Sequence, residues 1–412
     1  MRKEVIAIDG GKICSLPRAQ QRIGEHLQRM PAEDADLDAA LGRVAFADIT
    51  AEKPVPAFAE STRDGYVLPP CDPGNGARGF RIVDEIAAGR VQPVERLAPG
   101  TACRIMTGGV VPAGSERVVP HEQCVEQDGR VTVPEHLLQA RASYIRQAGS
   151  EIARGERLVG EGVRLQGEHL ELLSSCGMHA VTVAARPAVG YFCTGSELKT
   201  IAAGLENGQK VSSNSFLMAG ILPSYGVSLK DFGIAGDTFE EISAVFARAG
   251  EWHGDVMVST GGMGPGKYDL VEKAFLAAGG VVFFTGLAMR PGRSILFGKL
   301  GRTLFFGLPG PPYAVRTLLH ALVGPALLAM QGVKQTGPKK MEAYLLHPLE
   351  VKHHEVLQLK DGVLVLSGGR CGVRLAGRLE SPNCHILLHP GCSWYGEGEL
   401  IEVHLVGDPL IS

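Results

Sequence analysis

Residues 188–310 constrain the fold more than any other stretch, because strand-like apolar runs alternate there with helix-like ones. In order they read AVGYFCTG, SFLMAGILPSYG, VSLKDFGIAG, FEEISAVFARAG, DVMVSTGG, DLVEKAFLAAGG and TLFFGLPG. Short buried strands alternating with amphipathic helices predict an α/β architecture with a largely parallel sheet. Ligands of such sheets bind at the carboxyl ends of the strands. Three loops are expected at that edge: Thr194, Gly195, Ser196 and Glu197; residues 261–266; and Gly307, Leu308, Pro309 and Gly310.

The middle loop is the richest in chemistry. Val256, Met257 and Val258 predict a buried strand, and Gly261, Gly262, Gly264 and Gly266 follow it, with Asp269 where the next helix should begin. Glycine takes φ > 0 and admits a ligand close to the backbone. Successive N–H groups in such a turn form a nest for anions, which the positive end of the following helix reinforces. A glycine-rich turn that binds nothing has the same spacing, since a lone loop of this kind is a weak motif.

At 412 residues the chain exceeds one ordinary core, and two to four domains are expected. A formal charge of −3, from 41 basic and 44 acidic residues, argues against nucleic-acid binding, which needs clustered Lys and Arg. The longest apolar run, 321–330, is too short to span a bilayer and contains Gly324 and Pro325. The opening MRKEVIAIDGG has no apolar core of a signal peptide. A cytoplasmic protein without membrane partners is expected. Nine cysteines, an odd number with no CxxC pair, argue against a zinc knuckle or a disulfide framework. The thirteen histidines include no HExxH, and the adjacent His353 and His354 are expected in solvent.

Around the α/β region the pattern changes. Residues 18–41 read as helical on Ile23, Leu27 and Met30, and so do residues 151–177, with a C-cap at Gly177. Between them, from about 54 to 134, short strands punctuated by Gly and Pro predict a β-rich domain inserted into a helical one. Beyond about 334, VLQLKDGVLVLSG, HILLHPG and GELIEVHLV predict a small all-β domain.

Polar clusters follow several apolar strands: Arg63 to Tyr66 with Asp64, Arg104 to Gly109 with Thr107, Glu197, and Asp269. Arg290 and Arg293 flank a Pro-Gly turn, which cannot continue a helix, so both can face one ligand; Arg binds phosphate bidentately. The pattern suggests a polyanion held by Arg and backbone N–H groups, with acids to hold Mg²⁺ or orient a water. Any single loop Asp or Glu fits a capping or solvated role equally well.

Taken in order, these motifs resemble the MoeA/gephyrin E-domain family of molybdopterin molybdenumtransferases. They are DGY at 64–66, RIMTGG and VPAGSERVV within 104–119, AGSEIARGERL from Ala148, TGSEL from Thr194, and SNS at 213–215. STGGMGPGKYD from Ser259, MRPGRS from Met289 and GLPGPP from Gly307 complete the series. The resemblance implies a multidomain α/β fold with four domains. These are a helical/linker domain I at 11–53 and 141–186, and an inserted β-rich domain II at 54–140. An αβα molybdopterin-binding-like domain III spans 187–333, and a C-terminal β domain IV spans 334–412. It implies an elongated homodimer that cleaves adenylylated molybdopterin, releases AMP and inserts molybdate or tungstate with Mg²⁺, with other molybdenum-cofactor enzymes as further partners. By position it assigns catalysis to Asp269, Glu197 and Asp64, and metal binding to Glu197 and Asp269. Substrate binding falls to Thr107, Thr194, Gly195, Gly261, Gly262, Gly264, Gly266, Arg290, Arg293, Pro309 and Gly310.

The chain departs from the family pattern at Arg63, Ser196, Gly264, Lys267, Pro311 and Ala314, which removes hydroxyl and amide groups from the expected pterin pocket. Arg374, Arg378 and Lys267 are expected to add positive charge near it. A remodelled active pocket and a catalytically impaired paralogue that carries the cofactor both fit these changes. The retained Asp64, Glu197 and Asp269 favour catalysis, because a simple polyanion binder would gain from losing acids.

Overall fold

The computed structural model describes residues 12–71, 78–90, 95–264, 270–367 and 369–406. Its centre is a six-stranded sheet in the order Ser228–Ala235, Ala188–Thr194, Val256–Thr260, Thr303–Leu308, Leu296–Leu300, Val281–Phe284. The first four strands are parallel and the last two add as antiparallel neighbours. Every residue of Val256–Thr260 and Thr303–Leu308 is buried, as strands covered on both faces require.

The helices on either side form where the sequence supplies a cap and a stripe. Phe239–Trp252 starts at Thr238, whose hydroxyl accepts from the Glu241 N–H at 3.3 Å, and ends at His253 in the left-handed conformation. Its Ile242, Val245, Phe246 and Ala249 recur at helical spacing and are buried against Phe192, Phe275 and Phe305. Burying a side chain the size of Phe246 contributes about 1.5–3 kcal/mol. On the other face lies Pro312–Met330, a 19-residue helix with a π-turn at Leu319–Val323. It is long and apolar enough to cross a membrane, but 72% of its most apolar window is buried, in the central core.

The N-terminal helix departs from its predicted extent. It runs only over Leu16–Gly24, and residues 32–36 form a strand paired with Ala180–Ala184. Gly24 and Pro31 interrupt the helical spacing. The helix packs Leu16, Ala19 and Ile23 into the central core. The domain built from the segments either side of the insertion is therefore poorer in helix than predicted. It has one main helix, Gly167–Ser175, ended by Gly177 at φ 76°, over a core of Ala40, Ile49, Val159, Leu173 and Val183. Residues 157–159, read as helix, pair instead with Ile49–Thr50.

The inserted domain is a six-stranded sheet buried on both faces, with Tyr66, Leu68 and Phe80 on one side and Val67, Ile86 and Ile105 on the other. The C-terminal domain closes on itself. Strands Leu357–Ser367, Arg370–Leu375, Lys340–Leu345, Leu400–Leu405 and Cys384–Leu388 pair in that order, and the last returns to the first. The strand Met289–Arg290 of the central region pairs with Leu357 and Gln358 at the margin of this barrel. Leu359 and Leu387 reach into the central core, so the two domains share apolar packing.

Candidate active site

At the carboxyl edge of the central sheet three loops are tied into one unit. The Gly261 N–H donates to the Leu308 carbonyl at 3.0 Å, and the Thr194 hydroxyl to the Thr260 carbonyl at 3.4 Å. Asn214 reaches in from the start of its helix and donates to the Gly310 carbonyl at 2.8 Å and to Thr260 Oγ1 at 3.3 Å. Gly261 and Gly262 have φ of 91° and 62°, and a Cβ on Gly261 would stand 2.4 Å from the Thr194 carbonyl oxygen. Only glycine fits there. Thr194, Gly195, Gly261, Gly262, Pro309 and Gly310 are therefore neighbours, as the sequence predicts. Gly264 is described at the end of this loop; Gly266, Lys267 and Asp269 lie outside the described residues.

Behind these loops sits a small polar layer. Ser215 Oγ is 2.8 Å from Ser212 Oγ and 3.3 Å from the Cys193 thiol, which also accepts from Thr260 at 3.4 Å. Asn214 Oδ1 and Ser259 Oγ are buried without a hydrogen-bond partner among the described residues. In front, Glu197 is exposed and makes no ion pair with any described residue. The neighbouring Ser196 and Asp237 instead satisfy each other, Ser196 N–H to the Asp237 carboxylate and Asp237 N–H to the Ser196 hydroxyl, both at 2.9 Å.

Pro309 also lines a cleft of about 740 Å³ between the central domain and the C-terminal barrel. Arg290 and Arg293 both line it, joined by Lys352, Lys360 and His353. Asp361 is the one carboxylate among the described lining residues. Arg290 Nε is buried and has no hydrogen-bond partner among the described residues. A ligand oxygen in the cleft would satisfy a guanidinium so placed. Arg290 is held by backbone pairing to Gln358, which is itself buried and donates to the Lys352 carbonyl at 2.6 Å. Sequence reasoning missed Gln358, Lys352, Lys360 and Asp361. The polar Gln358, Lys360 and Asp361 inside the strand-like run LQLKDGVLVL were the available signal.

Asp64 and Thr107 form a separate cluster on the inserted domain. Asp64 Oδ1 accepts from the Thr107 N–H at 2.7 Å and from its hydroxyl at 2.8 Å. The N–H first, and then the hydroxyl, hold the Asp64 carboxyl below the ordinary carboxylate range. The metal assignment to Glu197 and Asp269 rests half outside the described residues; among those described, no three His, Cys, Asp or Glu side chains gather as a metal site.

One sequence expectation is corrected. Arg374 does not add free charge to a pocket, because Glu380 takes its guanidinium in two bonds of 2.6 and 2.7 Å. That contact, followed by the Gly377 N–H, pulls the Glu380 carboxyl down to about 2. His353 and His354 are exposed.

The fold and edge loops define an α/β protein of the molybdopterin-binding class, carrying an inserted β domain and a C-terminal barrel. Residues 14–177 match the MoeA N-terminal region, domains I and II, and residues 190–329 match the probable molybdopterin binding domain. The chain belongs to the MoeA family. It is 27% identical over 406 residues to a molybdopterin molybdenumtransferase of Staphylococcus epidermidis, covering 95% of each chain. It is 27% identical over 401 residues to the enzyme of that name in Staphylococcus aureus, covering 94% of each. The crystal structure of a molybdopterin biosynthesis MoeA protein from Pyrococcus horikosii superposes with a TM-score of 0.83 at 26% identity, over 96% of this chain and 99% of the other.

Proposed function

We propose that this chain is a molybdopterin molybdenumtransferase, which cleaves adenylylated molybdopterin, releases AMP and inserts molybdate or tungstate at the dithiolene. The observation that carries the reading is the cleft in which Arg290, whose Nε has no partner among the described residues, joins Arg293, Lys352 and Lys360 beside the Pro309 loop. Four cations against one carboxylate among the described lining residues suit a ligand with several phosphate or oxyanion charges. In the glycine loop the Gly261 N–H is taken by the Leu308 carbonyl, and Gly262 and Gly264 carry no side chain beside their own N–H groups, which suits a further anion there.

In this reading Arg290 and Arg293 hold phosphate. Glu197 and Asp269 orient the attacking oxygen or a proton, and the buried layer of Asn214, Thr260 and Ser215 keeps the loops in register. The exposed carboxylate of Glu197, without an ion pair among the described residues, is a hard oxygen donor and so suits Mg²⁺. When bound, that ion would neutralise phosphate charge and polarise the bond to be cleaved. Asp64 and Thr107 sit on the inserted domain, and in a homodimer they would serve the site of the other subunit. The protein is proposed to act in the cytoplasm, with other molybdenum-cofactor enzymes as partners.

The test is AMP release from adenylylated molybdopterin by purified protein in Mg²⁺, with and without molybdate or tungstate. Oxyanion-dependent release supports the proposal. Tight binding with no release under any condition supports the carrier reading instead. Light scattering of the same sample checks the dimer.

A further inference from the structure

Asp361 is out of place in its cleft. A carboxylate among Arg290, Arg293, Lys352 and Lys360 repels the polyanion that the other charges attract. It is also only about a fifth exposed, so water screens it little. The helix Pro312–Met330 answers this from below. Arg316, one turn into that helix, donates from Nη2 to Asp361 Oδ2. This guanidinium stands in a largely apolar helix and is itself three-quarters buried. On the far side the buried His385 places Nε2 3.4 Å from Asp361 Oδ1, off line for a hydrogen bond. Beyond it stands His320, whose Nδ1 is 2.7 Å from the Tyr225 hydroxyl. Glu355 feels the charge of Arg290, but from an exposed position outside the lining, where solvent screens it.

We propose that Arg316 is a dedicated counter-ion of the cleft, which neutralises Asp361 and so sets the affinity for a polyanionic ligand without touching that ligand. The inference rests on the reading of the cleft as the site for adenylylated molybdopterin. Arg316 links the helix that begins at the Pro309 loop to the barrel strand Leu357–Ser367, which carries Gln358 and Lys360. Its role is separable from plain structural bracing by sign. A brace is broken equally by removing either partner. A counter-ion is not: losing Arg316 exposes a negative charge, whereas losing the Asp361 charge frees a positive one.

The experiment is steady-state AMP release from adenylylated molybdopterin by the full-length protein, with R316M, R316K, D361N and the double variant R316M/D361N. R316M is expected to raise KM about tenfold with kcat within about twofold of wild type. R316K keeps the charge and recovers most of the loss. D361N lowers KM or leaves it unchanged, and the double variant returns it to within about twofold of wild type. Equal KM increases in R316M, D361N and the double variant would show bracing and overturn the proposal. If R316M does not fold by circular dichroism, D361N decides alone, since a raised KM there contradicts the counter-ion role. Failure of the underlying reading looks different: wild type releases no AMP, or R290A and R293A leave KM unchanged.

Discussion

Gly261 is pressed against Thr194 so closely that a Cβ on the glycine would lie 2.4 Å from the threonine carbonyl oxygen and 2.7 Å from its hydroxyl. This contact joins the two loops that carry Glu197 and the glycine nest. Because Gly261 also has φ of 91°, G261A meets both backbone strain and a clash. Gly279, at φ 88° with open space around it, isolates the first term. G279A is expected to lose about 1 kcal/mol and G261A roughly 2–4 kcal/mol in urea unfolding. Equal losses in the two would show that the contact does not matter.

In the proposed function the two arginines of the cleft act on the ligand, not on the fold. R290A and R293A are each expected to raise KM for adenylylated molybdopterin about tenfold or more, with thermal unfolding little changed. R290K should recover only part of the loss at this site, because an ammonium cannot reproduce the fork of a guanidinium. Full recovery by Lys would contradict bidentate binding.

Thr107 controls the ionisation of Asp64. Its N–H and hydroxyl both stabilise the carboxylate, so T107V, which keeps the N–H and loses the hydroxyl, raises the Asp64 pKa part of the way back to the ordinary range. The sign is set by linkage. A depressed carboxyl favours the folded state above its unfolded pKa, and this contribution disappears as pH falls through the folded pKa. Carbon NMR titration of the Asp64 carboxyl in wild type and T107V reads the shift. No difference between them would remove the hydroxyl from the account.

His320 makes the fold acid-sensitive. Burial first, then the nearby His385 and Arg316, push its imidazole down to about 4, so it stays neutral in the folded protein where an unfolded histidine would take a proton. Stability from this group is complete above about pH 6.5, declines as pH falls, and is lost below about 4, a contribution of roughly 3 kcal/mol. H320Q should flatten that part of the pH profile of unfolding while lowering stability at pH 7. An unchanged slope between pH 6.5 and 4 would exclude His320 as its source.

The parts of this structure that were legible in sequence share a physical cause. The strands Ala188–Thr194 and Val256–Thr260 are short apolar runs that end in threonine before a glycine, and a parallel sheet buried on both faces demands that composition. The edge loops were legible because φ > 0 and close backbone approach leave glycine as the residue that fits. Residues 32–36 could not be read as a strand. AEDAD has neither apolar alternation nor β-branched residues, and it is ordered by pairing with the apolar Ala180–Ala184, far away in the chain. The Arg316–Asp361 pair was hidden for the same reason, since its members are 45 residues apart in different domains. An arginine and a histidine inside the apolar run 312–330 were its only trace in the sequence.

The most direct test of the central claim is molybdenum bound to the dithiolene per AMP released, measured by metal analysis and pterin chromatography after incubating purified protein with adenylylated molybdopterin, Mg²⁺ and molybdate. The account predicts that metal appears in the cofactor in step with AMP, and that both are lost together in R290A and R293A. AMP release with no metal in the cofactor, or cofactor retained intact with neither, would contradict an insertase and leave a binding protein in its place.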